Sequence, residues 1–198
     1  MQKRGAFIVI EGLDGSGKTT QARLLVQKMQ SSHNAIYTTE PSRGKIGSFI
    51  RERCLYEEKR LDSAVEALLF AADRVEHVQN EVIPALNEGQ LVVSDRYLYS
   101  SLAYQGSAGL NIDWIDAINK HALKPDLAVF IDVAPEIVLK RLNRKKSVME
   151  TVETQKKVRE IYLKFVANGA LIRIDGDMPI NEVSEAMHTR VMKFLETF

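Results

Sequence analysis

Phe7-Ile8-Val9-Ile10-Glu11-Gly12-Leu13-Asp14-Gly15-Ser16-Gly17-Lys18-Thr19-Thr20 carries the decision about fold. The run Ala6 to Ile10 is apolar and largely β-branched, and reads as a buried strand. Gly12 to Thr19 then matches G-x-x-x-x-G-K-[ST], and a helical pattern follows over residues 18–32. Glycines let backbone N–H groups curl around phosphate oxygens where a side chain would block approach. The helix N-terminus adds partial positive charge. Lys18 is expected to reach the β- and γ-phosphates, and the Thr19 hydroxyl to ligate Mg²⁺. Gly12, Leu13, Asp14, Gly15, Ser16, Gly17, Lys18, Thr19 and Thr20 are therefore the candidate ATP-binding set. A plain strand–turn–helix corner with a solvated lysine would not need this spacing.

Working outward, four more apolar runs read as strands: residues 35–39, 91–94, 127–131 and 170–174. Helical patterns separate them, at 62–88, 98–107, 112–122, 135–145, 151–168 and 179–196. Asp62 or Ser63 suits a cap, with Glu66 at capping-box spacing, and Pro84 bends or restarts the long helix. Near-continuous apolar strands alternating with helices indicate a parallel sheet covered on both faces. The expected fold is α/β, a doubly wound five-stranded parallel sheet of the P-loop NTPase type. No repeat, low-complexity tract or linker divides residues 1–198, so a single domain is expected.

Composition adds mainly exclusions. Apolar content of 45% and charged content of 27% are ordinary for a globular chain. A net charge of +1 gives no global attraction to nucleic acid or an anionic membrane. Cys54 is the only cysteine, which rules out an intrachain disulfide; with Ile50 and Leu55 beside it, it reads as a buried thiol on a helix face. The N-terminal apolar run is too short for a signal peptide, and no apolar stretch approaches the ~20 residues that span a bilayer. The cytoplasm is the expected location. The four histidines are scattered without metal-ligand spacing.

The glycine loop names a nucleoside triphosphate without naming the reaction. A switch GTPase would carry a guanine-reading N-K-x-D. The nearest strings, Asn119-Lys120-His121-Ala122 and Asn143-Arg144-Lys145-Lys146, both lack the aspartate. Small-molecule kinases and other ATPases remain open on this ground alone.

Further motifs follow in order. Glu40-Pro41-Ser42-Arg43 ends the second strand and Phe70-Ala71-Ala72-Asp73-Arg74 lies in the long helix. Asp95-Arg96-Tyr97 ends the third strand, and Ser100-Ser101-Leu102-Ala103-Tyr104-Gln105 follows it. Together with Glu11 to Gln21 these closely resemble the thymidylate kinase family, from residue 6 to about 133 and more loosely beyond. The resemblance implies ATP-dependent phosphorylation of thymidine monophosphate to the diphosphate, for dTTP synthesis, with Mg²⁺ and a homodimer. It implies that Phe70 stacks on thymine, Arg74 donates to a base carbonyl, and Ser101 and Gln105 line the base edge. Tyr104 lies under the sugar where it excludes a 2′-hydroxyl. Arg96 holds the acceptor phosphate, with Arg51 or Arg43 as further candidates; an arginine fork suits a phosphate because it is bidentate and permanently charged. Glu40 belongs to the acceptor loop. Asp14 approaches the acceptor side, and Asp95 organises Mg²⁺ with Thr19.

Residues Pro135 to Lys146 resemble the helix entering the family's lid, placed at about 141–151. Here the pattern departs. The family's acid–arginine–aromatic–glutamate string is replaced by Ser147-Val148-Met149-Glu150, of which only Glu150 fits. Ser42-Arg43 stands where a glycine pair is expected. Gly15 and Ser16 leave the phosphate loop without an arginine, so the transition-state cation is assigned to the lid, to Arg144 or Arg141. A basic helix end that merely complements the C-terminal dipole is the simpler alternative.

Overall fold

The structure, a computed structural model, describes residues 4–55, 61–141 and 151–198. Five strands form one parallel sheet: β1 (Phe7–Gly12), β2 (Ala35–Thr39), β3 (Leu91–Asp95), β4 (Leu127–Asp132) and β5 (Ile172–Asp175). Their order is β2-β3-β1-β4-β5. The expected doubly wound sheet is thus observed. β1, β3 and β4 are buried along their whole length, because helices cover both faces and leave no solvent side for polar alternation.

Register puts the carboxyl ends of the central strands at one edge. Ile10 pairs with Asp95 and with Val129, and Thr39 pairs with Asp95. β3 is inserted between β1 and β2, and β4 and β5 extend the other side of β1. The loops that leave β1, β2 and β3 therefore converge, which is where α/β sheets bind ligands.

The helices are α1 (Lys18–Met29), α2 (Lys45–Ile50), α3 (Ser63–His77), α4 (Ile83–Asn87), α5 (Leu98–Ser107), α6 (Ile112–Ile118), α7 (Pro135–Arg141), α8 (Val152–Ala167) and α9 (Ile180–Leu195). α1 packs with α9, and α5 with α8, α6 and α3. The long helix expected at 62–88 is interrupted. Asp62 caps its start by accepting from Ala64 N–H. It then widens into a π-helical turn at Val78–Val82 before restarting at Ile83, with Pro84 in its first turn. Proline has no N–H and crowds the preceding turn, so an α-helical ladder cannot run through it.

Other boundaries differ from expectation as well; α1, for one, ends at Met29 rather than at 32. β5 starts at Ile172 rather than 170, because Ala170 and Leu171 both donate to the Phe165 carbonyl and complete the exit from α8. α6 ends at Ile118, and Asn119 turns its amide back to the Ile115 carbonyl. α2 and the π-helical turn after it, Arg51–Leu55, carry Cys54, which is buried. Gly47 dulls the helical signal there, and packing requires it: a Cβ would sit 2.1 Å from the Ser42 carbonyl oxygen.

Candidate active site

The glycine loop joins β1 to α1. A Cβ on Gly12 would lie 2.6 Å from Ser16 Oγ and 2.9 Å from the Ile131 carbonyl oxygen, so only glycine fits beneath the loop. Gly17 has φ +93° and faces open space, which combines the left-handed turn with room for an anion. Lys18 is buried and donates from Nζ to the Leu13 carbonyl at 2.7 Å, lying across the loop. Burial pushes its pKa down to about 8; Arg96 adds to the effect, while Asp14, Asp95 and Glu11 oppose it. It is therefore still cationic at neutral pH.

The Thr19 hydroxyl donates to Asp95 Oδ2. Asp95 Oδ1 is buried and has no hydrogen-bond partner. An orphaned carboxylate oxygen beside a loop threonine is the donor set that a hard divalent cation and its waters satisfy. The residues present fit Mg²⁺.

Arg96 follows β3 at a backbone φ of +72°, the one positive value at a non-glycine among the described residues. Its Nη2 donates to Asp14 Oδ1 at 2.5 Å and its Nη1 to Ser100 Oγ at 2.9 Å. The guanidinium lies over the Tyr104 ring, 5.1 Å from its centroid. Burial works against its charge, but Asp14, Tyr104, Tyr162 and Asp95 together outweigh that and hold the pKa well above the usual arginine value. Tyr104 is half-buried, accepting from Asp14 N–H at 3.0 Å and donating to Asp14 Oδ2 at 3.3 Å. The loop that would hold the donor is thereby bonded to both the arginine and the tyrosine expected on the acceptor side.

Beneath this lies a buried polar floor. Arg74, 1% exposed, donates to Glu40 Oε2 at 2.7 Å, to Ser101 Oγ at 3.0 Å and to Asn119 Oδ1. Its Nε is unpartnered. Glu40 also meets His77 Nδ1 at 3.1 Å, and His77 Nε2 meets Thr38 Oγ1 at 2.6 Å. Phe70 is half-buried one turn before Arg74 on α3. Gln105 is buried with its Oε1 unpartnered. Arg51 donates to the Pro41 carbonyl at 2.7 Å and to Ser48 Oγ at 3.3 Å, while Arg43 is exposed. The unexpected Ser42 anchors the loop: its N–H and hydroxyl bond the two oxygens of buried Asp73, at 2.8 and 2.5 Å. Burial raises the Asp73 pKa, against the two bonds from Ser42.

On the other side of the glycine loop a cavity of about 350 Å³ opens between Gly15, Thr20, Arg141 and the segment Gly176 to Ile180. Gln21 Nε2 donates to the Ile180 carbonyl at 2.9 Å. Arg141 lies on the cavity wall, donating to the Gly176 carbonyl at 3.3 Å and to Asp177 at 3.4 Å. Arg144, the other lid candidate, lies outside the described residues, as do Lys145, Lys146 and Glu150.

The structure thus brings together Lys18, Thr19, Asp95, Asp14, Arg96 and Tyr104, and separately Glu40, Arg74 and Ser101. Sequence reading had given no role to Glu11, Ser100, Asn119, His77, Tyr162 or the 176–180 segment. Glu11 and Ser100 stood within the quoted motifs but were given no role of their own.

Sheet order, glycine loop and the arginine clamped to it define the class, a P-loop phosphotransferase. The chain belongs to the thymidylate kinase family, whose model matches residues 10–187. A probable thymidylate kinase of Pyrococcus horikoshii is 46% identical over 170 residues, covering 81% of this chain and 82% of the relative. One from Pyrococcus abyssi is 42% identical over 191 residues, covering 92% and 93%. One from Staphylothermus marinus is 37% identical over 198 residues, covering 98% of each. Among the described residues, no helix is long and apolar enough to cross a membrane.

Proposed function

We propose that this protein transfers the γ-phosphoryl group of ATP to the 5′-phosphate of thymidine monophosphate, releasing ADP and thymidine diphosphate. The observation that carries the reading is the direct bond between Arg96 and Asp14 of the glycine loop. It ties the cation proposed for the acceptor phosphate to the loop proposed for the donor. Transfer through a loose transition state needs mainly alignment and charge stabilisation. Lys18 supplies positive charge at the β- and γ-phosphates, and the loop N–H groups fix the donor. Thr19 and Asp95 would hold Mg²⁺, which when bound neutralises charge on the phosphates. Phe70, Arg74, Ser101 and Gln105 read the base. The unpartnered Arg74 Nε and Gln105 Oε1 support this reading, since thymine can satisfy such groups. Glu40 holds Arg74, and Arg51 stiffens the acceptor loop. Tyr104 sits beneath the sugar.

The cavity beside Arg141 suits the ATP base, which makes Arg141 a donor-holding residue. Arg144 is then the cation proposed to arrive as a lid closes over residues 141–151, within one domain spanning the chain. Homodimerisation is proposed through α3 and α2. Val65, Leu68 and Val75 are exposed along α3 at helical spacing, with Phe49 exposed on α2, whereas α5 is engaged by α8 and α6.

Coupled ADP release measured over a panel of nucleoside monophosphates tests the reading. Thymidine monophosphate should give the highest kcat/KM. Rapid ADP release that no monophosphate accelerates would instead mean a nucleotide-hydrolysing switch.

A further inference from the structure

Glu11 is wholly buried at the end of β1, one residue before the glycine loop, and none of the roles above uses it. A buried carboxylate costs several kcal/mol unless hydrogen bonds compensate it. Its partners are specific. Oε1 accepts from Tyr97 N–H at 3.0 Å. Oε2 accepts from the Ser100 hydroxyl at 2.6 Å and from the Tyr162 hydroxyl at 3.1 Å. These groups come from the start of α5 and from α8, so one carboxylate gathers three elements at the end of the central strand.

Each bond bears on Arg96. Tyr97 N–H is the first donor after the left-handed Arg96 residue, and Arg96 N–H itself donates to the Ile10 carbonyl at 2.9 Å. Ile10 and Glu11 therefore pin the backbone on either side of an unfavourable φ. Such a conformation persists at a non-glycine only where its surroundings enforce it. Ser100 completes the arrangement. Its single proton goes to Glu11, which turns its lone pairs toward the Arg96 Nη1 donor. The guanidinium is thus held by two carboxylates of one segment, Asp14 directly and Glu11 through Ser100. Tyr104 lies against its face.

We propose that Glu11 is a positioning residue for the acceptor phosphate: it orients Arg96 through Ser100 and fixes the backbone corner that aims it. This rests on the reading of Arg96 as the acceptor-phosphate cation. Tyr162 extends the arrangement to α8, where it stacks on Phe130 of β4 at 4.7 Å. Burial brings the Glu11 pKa up to about 7, against the Ser100 and Tyr162 hydroxyls and the charges of Arg96 and of Lys18 from α1; Tyr99 from α5 is a further titratable group coupled to it.

The test is a double-mutant cycle at pH 8, with steady-state kinetics in both substrates and a thermal melt for each variant. Glu11→Gln replaces one acceptor oxygen by an NH₂ donor, so the side chain can no longer accept from both Tyr97 N–H and the Ser100 hydroxyl. It should raise KM for thymidine monophosphate about tenfold, with KM for ATP and kcat changed less than about threefold. In an Arg96→Ala background the same change should have no further effect, because the group it acts through is gone. Equal effects in both backgrounds, or a loss confined to ATP, would overturn the proposal. Should Glu11→Gln fail to fold, Ser100→Ala cuts the same link. It should show the same split, and an unchanged KM for thymidine monophosphate would overturn the proposal. If Arg96→Ala alone leaves that KM untouched, the assignment of Arg96 falls, and the role of Glu11 with it; the cycle separates that failure from the others.

Discussion

Tyr104 serves two purposes, and single-atom changes separate them. Its hydroxyl braces Asp14, while its ring supports Arg96 and is the surface proposed beneath the sugar. Tyr104→Phe keeps the ring and should keep the preference for deoxy over ribo acceptors. Tyr104→Ala should narrow that preference about tenfold or more, measured as a ratio of kcat/KM values; an unchanged ratio would remove Tyr104 from the sugar site. Glu11 makes a prediction about stability. Burial raises its pKa from 4.5 to about 7, against Ser100, Arg96, Tyr162 and Lys18. Between those values the folded protein holds a proton that the unfolded chain releases. The Glu11 contribution to stability is therefore full below about pH 4.5 and lost as pH rises through 7, by up to about 3 kcal/mol. Urea unfolding of Glu11→Gln relative to the parent should shift in favour of the variant between pH 5 and pH 8. Much of the site was legible at this scale because the residues sit at readable spacings: Phe70 and Arg74 are one helical turn apart, and Gly12 to Thr19 form a contiguous motif. Glu11, Ser100 and Tyr162 gave no such signal. Their connection spans β1, α5 and α8, and only the folded sheet creates it.

Helices and strands were legible where the apolar period was clear, as in α5 and β2, whose bounds match expectation. They were not legible where tertiary packing overrode local preference. The helix face read at Ile50, Cys54 and Leu55 extends back to Lys45 despite Gly47, because that glycine lets α2 approach the Ser42 carbonyl. β5 lost two residues to the turn that closes α8. α7 ends at Arg141, one of the two arginines proposed for the lid; Arg144 lies outside the described residues. Arg141 faces the donor-side cavity; Arg141→Ala should raise KM for ATP about tenfold with kcat within a few-fold. Arg144→Ala should lower kcat by at least about a hundredfold, since comparable transition-state arginines are worth roughly 10³–10⁵ and Lys145 and Lys146 can partly substitute as point charges. Steady-state rates over a range of ATP concentrations measure the first, and single-turnover rates at saturating substrates the second. If the two profiles are exchanged, Arg141 is the transition-state cation.

At the scale of the molecule, exposed apolar side chains recur along α3 among the described residues. Leu68, 50% exposed, is one of them. Leu68→Glu should convert a dimer to monomers in sedimentation without lowering the Tm of the separated subunit; a parent chain that is monomeric at micromolar concentration would remove the dimer. The strand order carries a different consequence, one of time. β1 and β2 are consecutive in the chain but never pair, because each is hydrogen-bonded to β3. A ribosome therefore delivers the entire nucleotide motif before the strand that would complete its sheet exists. Asp95, the partner of the Thr19 hydroxyl, arrives at the end of that same strand. Until then the nascent chain has nothing to close around, and ATP cannot act as a folding template for it. A chain stopped at Gln90 should be digested by protease at the same rate with or without ATP, whereas the full chain should be protected by it. The order of synthesis thus leaves the most specific sequence in the protein waiting for a strand that is made well after it.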